Sequence, residues 1–563
     1  MEPFELTRIR FRAGPSPGAA ALDVSPGTVT LLVGPNNSGK SRALSELWQW
    51  ASGGTLPATV LADAEVEWPS FDEAIEILGT YVQRDPRRDV VRVAAPAVTG
   101  GAGGQDETDT NSLRAAFDPA NAANDQLQML RRRFTLRYLA ALWTGRDRFS
   151  LASDQQLTDL QQPPQNHLQV LFRDDALRAR LRDLVHDAFG WYFVVDPTQP
   201  GQVRMRLSAV PPPSPAVERG LDERAIQFHS TTIPLNELSD GVQCYVGMVA
   251  ALMSLPLRLV LLDEPEAFLH PPLARRLGSA IAETARSRGA RIVAATHSAE
   301  FLRGCVESSA ATSIVRVTFD RLSGEATARS LTTTELRPLM TEPLLRSTRA
   351  LEGLFHRAVV VGESDADRAF YDEINRRLVA EGGGVVDAQF VNAQNWSTEA
   401  RVIAPLRRLG VPAAGIVDFD ALWNSFNEWR PLYRAIGLPD GNADRLVLEA
   451  EQTALARDPS ERVRCKRRGV AGLPAAKRNR MRQHLANLAG YGLFVVPIGE
   501  LEGWLPELGI PSQAKHKWIV QMLTRLGTDP GNPHYLAPRR GGVWRFLDNI
   551  ERWVADPNRK GML

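Results

Sequence analysis

The sequence predicts an α/β protein made of two successive units, each built around a mostly parallel sheet. Three observations carry this. The apolar, β-prone run at 28–33 opens into a glycine-rich turn and then a helix over 41–51. Between 257 and 296 the pattern is strand, loop, helix, strand (259–262, 272–287 and 291–295), which reads as a βαβ unit. A second alternation starts at Ala358, with strands at 358–361, 414–417 and 493–496 and a helix over 367–380. A chain of 563 residues is too long for one core, so two to four domains are expected.

The remaining elements follow from composition. Residues 96–125 are rich in Gly, Ala, Thr, Asp and Asn without periodicity, and predict a mobile surface loop. Residues 126–186 read as mainly helical, so an insertion is expected over about 95–190. Pro211, Pro212 and Pro213 break regular structure. A mixed connector over 331–351 divides a first domain, 1–345, from a second, 352–563. The net charge of +1 does not mark the whole chain as a polyanion binder. Cys244, Cys305 and Cys465 are far apart and form no CxxC or Cys/His cluster, so neither a zinc site nor a disulfide framework is indicated, and few cysteines suit a reducing compartment. The N-terminus lacks a basic-then-apolar signal pattern, and no apolar run is long enough to span a bilayer. A soluble, cytoplasmic protein with no membrane partner is expected.

Gly34-Pro35-Asn36-Asn37-Ser38-Gly39-Lys40-Ser41 matches G-x-x-x-x-G-K-[ST] between a strand and a helix. Glycines at this spacing let backbone amides turn towards phosphates, and the helix N-terminus adds its dipole. Lys40 would neutralise the β- and γ-phosphates of ATP, and Ser41 would ligate Mg²⁺. Downstream, Leu259 to Leu262 form a buried strand that delivers Asp263 and Glu264. Asp263 would hold Mg²⁺ through water, and Glu264 would polarise the attacking water. Leu238-Ser239-Asp240-Gly241-Val242-Gln243 lies a short helix upstream of that strand, and His297 follows the next strand.

These elements, in this order, resemble the ABC ATPases of the SMC and OLD (overcoming lysogenization defect) type. In such proteins the LSxGx[QE] signature grips the γ-phosphate bound by the opposite protomer. The resemblance therefore gives that role to Ser239 and Gly241, makes His297 the switch histidine, and implies a homodimer through the ATPase domains. Glu264-Pro265-Glu266-Ala267-Phe268-Leu269-His270-Pro271 is similar to the E-P-E-x-x-L-H-P run of the OLD-like branch. For the Q-loop glutamine, Gln161, Gln162 and Gln165 are equal candidates.

The second unit carries a different chemistry. Val359 to Val361 lead through Gly362 to Glu363, with Asp367 four residues on. Gly415-Ile416-Val417-Asp418-Phe419-Asp420 is an apolar strand ending in D-x-D, and positions i and i+2 share one face of an extended segment. Hard Mg²⁺ or Mn²⁺ prefers such oxygen ligands. Asp367 reads equally as a metal ligand and as a first-turn acid of its helix. A Glu after one strand and D-x-D after the next resembles a TOPRIM domain, although the usual order is Glu-Gly and here it is Gly362-Glu363.

The OLD-like resemblance adds a ligating acid before an aromatic-Leu pair, which is Glu502, with Glu500 in reserve, and a late lysine, Lys517 ahead of Lys515. The basic run from Arg462 to Arg482 reads equally as a solvated helical face and as a phosphate-tracking surface. Taken together the chain resembles OLD-family nucleases, including the Gabija nuclease subunit: an ABC-type P-loop ATPase followed by a Rossmann-like TOPRIM domain. The resemblance implies a nucleotide-regulated, metal-dependent DNA endonuclease of bacterial antiphage defence. It also implies a dimer or tetramer and an accessory defence protein as partner. Two alternatives stand beside it: an ATP-driven sensor or scaffold that does not cleave, and a nuclease acting on RNA.

Overall fold

Val29–Val33 (β1) is buried at all its positions, as a strand covered on both faces must be. It lies inside a six-stranded sheet with Ala140–Trp143 (β2), Leu259–Asp263 (β3), Arg291–Ala295 (β4), Thr312–Asp320 (β5) and Glu325–Leu331 (β6). The strand order is β6-β5-β1-β4-β3-β2, parallel except for the β5–β6 hairpin. Parallel strands need crossovers, and the helices Lys40–Ala51 (α1), Asp240–Ser254 (α2) and Pro271–Arg288 (α3) supply apolar faces for them. Among the described residues, three smaller antiparallel sheets flank this core.

This computed structural model describes residues 3–85, 88–94, 105–145, 147–162, 164–320, 323–347, 349–511 and 515–562. The chain divides into two compact units, one of residues 1–33 and 37–333, the other of 334–563 with 34–36. Among the described residues no helix is long and apolar enough to cross a membrane.

Two expectations about the first unit are corrected. The loop expected over 96–125 includes a strand, a helix and a short 3₁₀ turn among its described residues. Gln105–Asp109 pairs antiparallel with Val90–Ala94, and Asp109 caps the helix Thr110–Ala116 by accepting from the amides of Asn111 and Ser112. Residues 96–104 lie outside the described residues. The segment expected as an insertion over about 95–190 also contributes β2, which pairs parallel with β3 at the edge of the central sheet. A four-residue strand is too short for a periodicity to stand out within helical surroundings.

The second unit has one parallel sheet of Ala358–Gly362 (β7), Ala388–Asn392 (β8), Ala413–Val417 (β9) and Leu493–Val495 (β10), in the order β8-β7-β9-β10. Asp365–Ala380 (α4) follows β7, and Glu399–Arg408 (α5) follows β8. Pro459–Arg468 (α6) and Ala475–Gly490 (α7) lie between β9 and β10, and Lys515–Leu526 (α8) comes after β10. The chain steps from β7 outwards to β8, then returns to β9 on the other side of β7. The carboxyl ends of β7 and β9 therefore border a topological switch point, where open parallel sheets leave a crevice.

Candidate functional site

The first site grows from the carboxyl ends of β1, β3 and β4. Gly34 at φ 141°, Asn37 at φ 60° and Gly39 at φ 100° curl the chain between β1 and α1. Those left-handed turns favour glycine. Helix α1 begins at Lys40, which is buried. Burial pulls the Lys40 ammonium down to about 8, against the opposing pull of Glu264, Asp263 and Glu266. Its Nζ lies 3.4 Å from Ser38 Oγ. Ser41 Oγ donates to Asp263 Oδ1 at 2.9 Å, so both predicted magnesium ligands already face each other. Burial raises the Asp263 carboxyl, and the Ser41 hydrogen bond opposes this.

Glu264 adopts φ 49°, uncommon for a residue with a side chain and typical of functional turns. Its backbone is held at both ends. Its N–H donates to the Ala295 carbonyl at 2.9 Å, and its carbonyl accepts from Arg148. Its carboxylate lies 3.7 Å from His297 Nε2. Beneath the pair, Glu266 Oε1 accepts from Thr296 Oγ1 at 2.8 Å and from the His297 amide at 2.9 Å, which fixes where β4 ends. Ser239 is the exposed N-cap of α2. At Gly241 an added Cβ would sit 2.6 Å from the Phe268 carbonyl, so the turn that opens α2 and the segment after the two acids meet backbone to backbone.

Arg148 has no signal in the sequence, because a single arginine in a helical stretch carries no pattern. It comes from the segment just after β2, and is almost fully buried. None of the glutamines suggested for the Q-loop takes such a place. Gln161 N–H bonds Asp159, the Gln162 carbonyl accepts from Arg173, and Gln165 N–H bonds Gln169.

The second site lies at the switch point between β7 and β9. Glu363 Oε1 accepts from the Asp418 amide at 2.6 Å, so the ends of the two strands are stitched together. Ser364 caps α4, and its hydroxyl donates to Asp367 Oδ2 at 2.6 Å. Gly362 makes this approach feasible: a Cβ there would lie 3.1 Å from Asp367 Cβ. Asp367 is thus both a first-turn acid and a member of the cluster. Lys515 Nζ reaches Asp418 Oδ2 at 3.0 Å and Asp367 Oδ2 at 3.6 Å.

The electrostatics follow from burying three acids together. Burial, then the neighbouring carboxylates, pushes Glu363 up to about 7 and lifts Asp418 well above the ordinary range. Burial alone would lower Lys515, but Asp418, Asp367 and Glu363 outweigh it and hold the ammonium up. Glu502 is raised by burial, feels both Lys515 and Asp367, and has an Oε2 atom buried without a hydrogen-bond partner.

Three predictions for this site are sorted by the structure. Lys515, and not Lys517, enters the cluster. Trp518, Ile519 and Met522 are the buried face of α8, and Lys515 precedes them by three, four and seven positions, whereas Lys517 is exposed on another face. Asp420 does not share a face with Asp418. The strand stops at Val417 and a 3₁₀ turn, Phe419–Trp423, carries Asp420 away to Lys466 at 3.5 Å and Arg462 at 3.8 Å. Glu500 also goes to Lys466, at 3.1 Å, which leaves Glu502 as the acid nearer the cluster. Another unforeseen acid, Glu399 of α5, is fully buried behind β9. Both its oxygens lack hydrogen-bond partners, and burial raises its carboxyl well above the usual range.

Carboxylate oxygens are the donor type a hard divalent cation takes, and here Lys515 Nζ lies against Asp367 and Asp418. Among the described residues, no group of three or more His, Cys, Asp or Glu side chains stands in a metal-holding arrangement.

Residues 212–303 match a family model described as "AAA domain, putative AbiEii toxin, Type IV TA system". The first unit carries an AAA-type ATPase domain. The matched span includes Ser239, Gly241, Asp263, Glu264 and His297 and stops short of the second unit. No curated protein matches the chain. Among solved structures, the chain is similar to an Smc head bound to the C-winged helix domain of ScpA, with 13% identity, 59% of this chain and 99% of that chain covered, and a TM-score of 0.34. It is also similar to an SMC head domain from Thermotoga maritima, with 13% identity, coverage of 58% and 100%, and a TM-score of 0.30. A third is an Smc head domain with an extended coiled coil, bound to the C-terminal domain of ScpA and derived from Pyrococcus furiosus, with 12% identity, coverage of 60% and 99%, and a TM-score of 0.33.

Proposed function

We propose that the first unit is an ATP-hydrolysing control module and that the second is a divalent-metal-dependent DNA endonuclease of the OLD type, with a TOPRIM-like fold. The observation that carries this reading is the meeting of Glu363, Asp367 and Asp418 around Lys515 at the switch point of a separate parallel sheet. Buried acids that raise one another are costly to keep unless they serve chemistry, and strongly perturbed acids in a crevice are the usual sign of it.

Glu363, Asp367, Asp418 and Glu502 would hold Mg²⁺ or Mn²⁺, with Asp420 further out. Bound there, the metal would supply an activated water and stabilise the leaving oxygen of a phosphodiester. Lys515 is the group placed to meet the negative charge that develops on the phosphate. In the first unit, Lys40 would meet the ATP phosphates, Ser41 and Asp263 would hold Mg²⁺, and Glu264 with His297 would position the attacking water. The exposed place of Ser239 suits a signature helix that completes the site of a second copy, so a homodimer is part of the proposal. A cytoplasmic role in bacterial antiphage defence, a tetramer and an accessory partner rest on the sequence resemblance alone.

The test is cleavage of plasmid DNA and of a structured RNA by the full chain in Mg²⁺ and in Mn²⁺, with and without ATP. Asp418→Asn and Glu363→Gln are expected to abolish cutting while ATP binding persists, and Glu264→Gln to stop hydrolysis while ATP binding persists. Cutting by both acid variants would overturn the metal-site assignment, and RNA-only cleavage would replace the substrate. One observation favours a second reading, a non-cleaving ATP-driven sensor: the Lys515 ammonium sits where it partly neutralises the acids by itself. That reading predicts ATP hydrolysis with no cleavage in any divalent ion.

A further inference from the structure

The basic run between β9 and β10 separates into two sets. The first is engaged by neighbouring side chains of the same unit. Arg462 and Lys466 face Asp420, and Lys466 also faces Glu500. Lys477 lies 2.9 Å from Glu461, Arg480 lies 2.6 Å from Glu451, and Arg482 Nη1 donates to Asn479 at 2.8 Å. The second set is Arg464, Arg467, Arg468 and Arg478. These four line one cavity of about 530 Å³ at the corner between α6 and α7. No acid lines it, its apolar floor includes Leu473, and none of the four is ion-paired to a carboxylate among the described residues.

The cavity is built and not merely a ragged surface. Arg478 Nε donates to the Leu473 carbonyl at 2.9 Å and Nη2 to the Ala471 carbonyl at 3.1 Å, which fixes the plane of its guanidinium. At Gly472 an added Cβ would lie 2.8 Å from the Arg464 carbonyl, so the turn closes tightly on α6. The same turn is joined to the segment that carries the site acids. Val470 N–H donates to the Pro497 carbonyl at 2.9 Å, and a Cβ on Gly469 would clash with that carbonyl at 2.0 Å. Helix α6 therefore presents Arg462 and Lys466 to Asp420 and Glu500, and three of the four arginines to the cavity. Bases in the last turn of a helix also suit its dipole, which accounts for Arg467 and Arg468. It does not account for Arg464, or for Arg478 on the next helix.

We propose that this cavity is a binding site for the phosphodiester backbone of duplex DNA, one that positions the strand running to the acid cluster. The proposal rests on the nuclease reading of the second unit. Converging guanidinium groups without acids repel one another and gain from a polyanion, and arginine forks match phosphate oxygens. The volume falls in the range of nucleotide-sized ligand sites and exceeds that of a single ion.

The test is the affinity of the full chain for a fluorescent DNA duplex, measured by anisotropy from about 50 to 300 mM salt in EDTA to prevent cutting. Arg464→Ala/Arg467→Ala is compared with Arg482→Ala/Arg552→Ala, which removes the same charge outside the cavity. Removing two phosphate contacts should lower the salt slope by about 1.8, which is roughly a 60-fold loss at 0.1 M salt relative to 1 M. The control pair should move neither. Equal loss in both pairs, unchanged affinity in the cavity variant, or no duplex binding by the parent protein would each overturn the proposal, as would equal competition by free nucleotide at the concentration of DNA phosphate. Asp418→Asn separates this from the nuclease reading. If it still cuts while Arg464→Ala/Arg467→Ala loses affinity, the cavity stands and the acid-site assignment falls. If it is dead while the arginine variant binds normally, the reverse holds.

Discussion

Nucleotide binding should weaken as pH rises through 8, because Lys40 is the group that titrates there. Burial holds its ammonium at about 8, below the ordinary 10.5. A difference of 2.5 units corresponds to about 3 kcal/mol of preference against the charged form. The phosphates of ATP offset that penalty by adding negative charge beside the ammonium. If only the ammonium form binds, the apparent Kd scales with one plus the ratio of neutral to charged lysine. That factor is about 1.1 at pH 7 and about 11 at pH 9, a tenfold loss, or about 1.4 kcal/mol. The assay is equilibrium titration with ATP and Mg²⁺ at pH 7, 8 and 9, using calorimetry on the Glu264→Gln variant to prevent turnover. Lys40→Arg provides the contrast, since its charge persists through this window and its profile should be flat. A flat profile for the unsubstituted Lys40, or the same slope with arginine in its place, would refute the reasoning.

Other expectations concern the supports of the two sites. Arg148→Met should slow ATP hydrolysis while leaving ATP binding intact, and should cost about 1–3 kcal/mol in chemical denaturation, because the Glu264 carbonyl loses a buried charged donor. Unchanged turnover would show that Arg148 does not hold Glu264. Gly241→Ala should lower the melting temperature and impair hydrolysis, since its Cβ would lie 2.6 Å from the Phe268 carbonyl, and overpacking of this kind costs about 1–3 kcal/mol. A variant as stable and active as the parent would show that the turn can shift. Lys515→Met should destabilise the second unit more at pH 8 than at pH 5. Glu363 titrates near 7 when folded and nearer 4.5 when unfolded, so the folded state binds more protons in between and stability falls as pH rises through that window. Removing the cation enlarges this loss, and Mn²⁺ should recover melting temperature at pH 8 but not at pH 5.

Much of both sites was readable because their signals are local. The buried strand before Gly34 and the left-handed turns at Asn37 and Gly39 are short-range consequences of the G-x-x-x-x-G-K-S spacing. The strands that deliver Asp263, Glu363 and Asp418 were legible for the same reason: apolar runs covered on both faces. The errors have physical causes. Face-sharing at i and i+2 holds only while a strand continues, and the chain turns into a 3₁₀ helix at Phe419. The choice between Lys515 and Lys517 was open to helical periodicity, since the spacing of Trp518, Ile519 and Met522 already marks the buried face. Arg148 and Glu399 left no trace in the sequence, because their roles come from chain segments far away. The division of the basic run was equally hidden, because it depends on which distant acids fold against each base.

The most direct measurement of the central claim is plasmid cleavage by the full chain in Mn²⁺, with Asp418→Asn and Lys40→Ala run beside it. The parent protein should nick or cut the plasmid. Asp418→Asn should leave it intact while still binding ATP, and Lys40→Ala should lose ATP binding and the nucleotide dependence of cutting. Cleavage that survives Asp418→Asn, or an intact plasmid with the parent protein in both Mg²⁺ and Mn²⁺, would contradict a nuclease centre at the β7–β9 switch point.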